Sequence, residues 1–107
     1  MMTEVRLNQI RAELHTRVAT IADNRGATAR HRLVEQVDEI RSFASHCGFS
    51  TVSCLASRLE SALARDIAAP TLLCYLDAID DAITLEPVGG PAIQQALLAS
   101  IALRIGA

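Results

Sequence analysis

The chain has no lysine and no tryptophan, and only three of its 107 residues are aromatic: Phe43, Phe49 and Tyr75. Without lysine there is no Schiff-base chemistry and no phosphate-binding-loop lysine. Few rings, scattered arginines and a sequence pI near 5.8 supply neither the stacking platforms nor the electrostatic footprint that nucleic-acid binding needs. Cysteine is scarce too. Cys47, Cys54 and Cys74 are odd in number, form no Cys-x-x-Cys pair and lie at apolar helical positions, so they read as reduced core residues. The apolar stretch from Ala92 to Ile105 is too short to span a bilayer, and Met1 to Asn8 has neither the basic start nor the apolar run of a cleavable signal. A cytoplasmic location is therefore expected.

What the sequence does hold is aliphatic residues in helical order. Half of it is apolar, drawn almost wholly from Leu, Ile, Val and Ala, which favours helix packing over a sheet. The length suits one domain, residues 1–107, with one core. Leu7, Ile10, Leu14, Val18 and Ile21 recur at three- and four-residue spacing, and the Asp23-Asn24-Arg25-Gly26 run ends that first helix. A second is predicted with Thr28 as its cap, Leu33, Val37, Ile40, Ala44 and Cys47 as its buried stripe, and Gly48 as its stop. Ser50 is the expected cap of a third, with Val52, Leu55, Ala56, Leu59 and Leu63 inward. Pro70 fits the first turn of a fourth, whose core face is Leu72, Leu73, Leu76, Ile79 and Ile83. After the linker Glu86 to Pro91, a fifth helix carries Ile93, Leu97, Ile101 and Ile105. Short connections make neighbouring helices antiparallel. The expected fold is all-α: an up-and-down four-helix bundle with an additional C-terminal helix, packed across the bundle or used to form a homodimer.

Charge is uneven. All ten basic residues are arginine; residues 1–65 hold nine of them against seven acids, and residues 66–107 hold Arg104 against five acids. The cluster Asp77, Asp80, Asp81 and Glu86 reads as a solvated helix face rather than a metal site, because one helix face supplies too few convergent ligands.

The segment 38–60, DEIRSFASHCGFSTVSCLASRLE, carries the most specific pattern in the chain. Asp38 is followed by Ile40, Arg41 and Ala44, then by Gly48, Phe49 and Val52, and then by Leu55, Ala56, Leu59 and Glu60. This pattern resembles the signature helix pair of histidine phosphotransfer domains, with three departures. Asp38 stands where the phosphoryl-accepting histidine belongs, Ser42 replaces a glycine, and Phe43 replaces a small residue. The resemblance implies a helical bundle of two-component phosphorelay signalling, with no cofactor and no resident metal. Its partner would be the receiver domain of a response regulator or hybrid histidine kinase, which supplies its own aspartate and Mg2+. It is expected to be a binding protein rather than an enzyme, with no nucleic-acid or membrane partner.

At about 100° per residue, His31, Glu35, Asp38, Ser42, Ser45 and His46 fall on one side of the second helix, opposite Leu33, Val37 and Ile40. In the family that this segment resembles, the matching strip docks the receiver. Arg41 matches the basic residue that steadies a phosphoryl group; its plain role is a surface charge or an ion pair with Asp38 or Glu35. Phosphorylation of Asp38 is not expected, since a stable acyl phosphate needs a Mg2+-holding carboxylate cluster and a lysine, and Glu35 and Glu39 form no evident metal pocket. His31 and His46 are the imidazoles through which relay activity would survive, although each reads first as a solvated polar-face residue. Phe49 and Phe43 read as core plugs, with Phe43 placed to flank Asp38.

Overall fold

The computed structural model describes residues 4–24, 26–85, 98–99 and 101–103. Helix α1 spans Glu4–Asn24, α2 Arg30–His46, α3 Ser50–Leu63 and α4 Ala69–Leu85. The described residues 98–99 and 101–103 are helical and belong to a short C-terminal helix, α5. Among the four long helices, α1 packs on α2, α2 on α3, α3 on α4 and α4 back on α1, without diagonal contacts. That closed ring is an up-and-down antiparallel bundle.

The helices form where the apolar spacing places them, and their stripes meet in one core. Ile10, Leu14, Val18 and Ile21 of α1 are buried with Leu33, Val37, Ile40 and Ala44 of α2. From the other side come Val52, Leu55, Ala56, Leu59 and Leu63 of α3 and Leu72, Leu76, Ile79 and Ile83 of α4. Leu7, Cys47 and Leu73, expected inside, are only partly buried and pack against its edge. None of the three cysteines is in a disulfide, and all are of intermediate exposure, so they lie at the core margin rather than within it. Ile101 of α5 is buried in the same core and Leu98 packs partly against it, while Leu103 is exposed. The linker from Glu86 to Pro91, together with Ile93, Leu97 and Ile105, lies outside the described residues.

The turn between α2 and α3 fixes the geometry of the signature segment. Gly48 adopts a left-handed φ of 82°, a region that glycine enters without a Cβ penalty. Its N–H donates to the Ser45 carbonyl at 3.3 Å, and the Phe49 N–H donates to the Ala44 carbonyl at 2.8 Å. This is a Schellman stop, with the fully buried Phe49 ring as its apolar clamp. It reverses the chain within three residues and lays α3 along α2.

Both expected helix caps are corrected. The residue preceding α2 is Ala29, without a side-chain cap, and its carbonyl accepts the Arg32 and Leu33 N–H groups at 3.0 Å each. Thr28 instead turns its hydroxyl back to the Asn24 carbonyl at 2.6 Å, closing the end of α1. Ser50 is already the first residue of α3, because the short stop at Gly48 leaves Phe49 as the residue preceding the helix. Pro70 does sit in the first turn of α4, where its missing N–H costs nothing.

Candidate functional site

Asp38 lies midway along α2. Its neighbours Val37 and Ile40 have no exposed surface, so the helix can only turn position 38 outward, and the Asp38 side chain is 50% exposed. Arg41, one turn on, is held against it: Nη2 donates to Oδ1 of Asp38 at 2.6 Å and Nε donates to the same oxygen at 3.0 Å. Nε also reaches across to Oε1 of Glu60 on α3 at 3.2 Å. One guanidinium thus joins two carboxylates on two helices.

The two carboxylates are not equivalent. The two hydrogen bonds from Arg41 hold the Asp38 carboxyl below its usual range, so Asp38 is ionised at neutral pH. Glu60 is pushed up, first by burial and then by repulsion from Asp38, while the attraction of Arg41 only partly offsets this. A hydrogen bond shared with Asp38 further favours the protonated form of Glu60. The linkage signs are therefore opposite. The stabilising contribution of Asp38 is present at neutral pH and is lost as pH falls through its lowered value. The contribution of protonated Glu60 is present in acid and is lost as pH rises through its raised value. Glu60→Gln keeps an oxygen for Arg41 and an N–H for Asp38 but cannot ionise. Its melting temperature relative to wild type is expected to rise between about pH 4 and pH 7. Thermal melts across that interval check this, and a flat or falling difference would contradict the raised Glu60.

The remaining residues of the strip are exposed but not convergent. His31 lies in the first turn of α2, and Glu35 is engaged by Nη1 of Arg32 at 3.0 Å. Ser42, Ser45 and His46 are solvent-facing. His46, the last residue of α2, borders a shallow groove of about 400 Å3 with Arg17, Glu39, Ser42 and Phe43. It lies eight residues beyond Asp38, roughly 12 Å along the helix. The expectation that Phe43 flanks Asp38 is corrected: Phe43 is half-buried toward α1, where the Arg17 guanidinium sits 5.2 Å from its ring centroid. A cation over a ring face is attractive, and it turns Phe43 away from the Asp38–Arg41 pair, which leans toward α3.

Two features escaped the sequence reading. Glu60 was visible as the end of the leucine ladder, but its contact with Arg41 depends on the tight reversal at Gly48. His15 carried no local signal. Its Nδ1 lies 2.6 Å from Oδ1 of Asp80, and its Nε2 lies 3.4 Å from the Thr84 hydroxyl, joining α1 to α4. The acidic face of α4 is thus not simply solvated, because Asp80 has a partner 65 positions away in sequence. Among the described residues, no group of three or more His, Cys, Asp or Glu side chains is placed to hold a metal, and no helix is long and apolar enough to cross a membrane.

Comparison of the chain with protein-family models, with curated proteins and with solved structures gives no match.

Proposed function

We propose that this chain is a histidine-phosphotransfer-like signalling protein that docks a receiver domain on the exposed face of α2 without relaying a phosphoryl group. The receiver would belong to a response regulator or a hybrid histidine kinase. The observation that carries this reading is the carboxylate at position 38, outward on a four-helix bundle and bound by Arg41, at the place where the resembling family presents an imidazole. A carboxylate closed onto a guanidinium is a poor nucleophile, and its negative charge is largely matched before any partner arrives. Such a surface offers a receiver a preformed ion pair, flanked by Ser42, Ser45 and His46, in place of a reacting group.

Pull-down with the receiver domains of the source organism, followed by radiolabelled phosphoryl transfer, tests both halves of the proposal. At least one receiver is expected to bind, and the wild-type chain is expected to gain no stable phospho-form. An acid-labile, alkali-stable label that disappears in His46→Ala or His31→Ala would replace this proposal with an active relay. Failure to bind any receiver would remove the docking role and leave a structural or self-associating bundle.

A further inference from the structure

A second polar site lies on the α3–α4 face, around the bundle from Asp38. Ser57, Arg58 and Ser61 of α3, Arg65 in the turn just after it and Tyr75 of α4 line a cleft of about 250 Å3. Helical spacing explains part of the grouping: positions 57, 58 and 61 share one face of α3, and Arg65 follows in the turn past the helix end, where its N–H donates to the Ala62 carbonyl at 2.9 Å. Ser61 lies about one turn beyond Arg58, and Arg65 lines the same cleft from just past the helix end.

What sets this cleft apart is the state of its donors. Arg17, Arg30, Arg32 and Arg41 are each paired with a carboxylate. Among the described residues, the guanidinium groups of Arg58 and Arg65 have no ion pair, and the hydroxyls of Ser57, Ser61 and Tyr75 have no hydrogen bond. Two guanidinium forks and three hydroxyls therefore face one small space with no acceptor of their own. The whole chain carries a formal charge of −2, so this local excess of cationic donors is not a general property of its surface. A group with several acceptor oxygens and a double negative charge matches that donor set, because arginine forks bind phosphate oxygens in pairs and hydroxyls fill the remaining acceptor positions.

We propose that the α3–α4 cleft is a binding site for a phosphate monoester, with Arg58 and Arg65 gripping the phosphoryl oxygens, and Ser57, Ser61 and Tyr75 completing the shell. The cleft is open on one side, where the esterified group leaves toward solvent. The site is independent of the α2 face and stands whether or not a receiver docks there.

Titration of the full-length chain with O-phosphoserine and, separately, with inorganic phosphate, followed by amide and arginine Nε NMR shifts, tests this. Saturable shifts confined to residues 57–65 and to Tyr75 are expected, with O-phosphoserine binding at least as tightly as inorganic phosphate. Arg58→Gln and Arg65→Gln should each weaken binding about tenfold, the effect of removing one charge-assisted fork. Arg32→Gln removes the same charge from α2, where Arg32 holds Glu35, and should leave the affinity unchanged. All three positions are exposed, so the variants are expected to fold, and circular dichroism checks that they do. Shifts that do not saturate, an equal loss in Arg32→Gln, or binding of inorganic phosphate but not of the ester would each overturn the proposal.

Discussion

Val37→Asp is expected to unfold the domain, while Ala in place of the adjacent Asp38 leaves it folded. Val37 has no exposed surface and sits where α2 meets the common core. A carboxylate there would be buried among aliphatic side chains with no cation to meet it. The cost is on the order of 5 kcal/mol, comparable with the whole stability of a domain of this size. Ile40→Asp meets the same fate for the same reason. Asp38→Ala removes only a half-exposed partner of a surface arginine, and Arg41 keeps Glu60 as its second carboxylate. Thermal denaturation separates the cases: no cooperative transition for the core variants, and a melting temperature within a few degrees of wild type for Asp38→Ala. A large loss in the last would make Asp38 a structural residue and its outward carboxylate a poor basis for a docking role.

The second large effect is a gain. Asp38→His combined with Ser42→Gly is expected to raise phosphoryl acceptance from a receiver by at least about tenfold over wild type, provided that the α2 face docks as proposed. In that step the imidazole nitrogen forms the N–P bond as the P–O bond to the receiver's aspartyl carboxylate breaks, and the receiver supplies the metal. The bundle needs to supply only a placed nucleophile and room to approach it. Asp38 is outward, so an imidazole there is accessible, and Arg41 would exchange its Asp38 partner for the incoming phosphoryl group while keeping Glu60. Ser42 is exposed one turn on, and its loss opens the approach, so the double variant should accept more than Asp38→His alone. Because Phe43 is held over at α1 by Arg17, it does not stand in the way. The readout is an acid-labile label on the folded variant. If the double variant neither binds nor accepts phosphate from any receiver of its organism, the docking role falls and a structural or self-associating bundle becomes the better account.

The architecture was legible in the sequence because it depends on periodicity. Val37, Ile40 and Ala44 recur at intervals that only a helix can bring to one side, and burying them forces Asp38, Ser42 and His46 outward whatever the neighbouring helices do. The stop at Gly48 was legible for a related reason: a residue without Cβ enters the left-handed region at no cost, and the apolar Phe49 after it completes the clamp. The caps at Thr28 and Ser50 were misplaced by one residue, since the backbone carbonyls of Ala29 and Phe49 take the capping positions and side-chain type does not set that frame.

Contacts between helices were another matter. The sequence left Arg41 free to pair with Asp38 or Glu35. The packing of α3 against α2 brought Glu60 to it and left Glu35 to Arg32. Phe43 could have faced either flank of α2, and the position of Arg17 on α1 decided it. His15 met Asp80 only because α1 and α4 close the ring. Which residues are inside, which side of α2 is outside and where the chain reverses all follow from the order of residues alone, because each rests on local stereochemistry and the 3.6-residue helical period. Which outward charges meet, and so which carboxylate beside Arg41 is lowered and which is raised, was decided by the tertiary structure, because long polar side chains find their partners across helices whose relative placement no local pattern encodes.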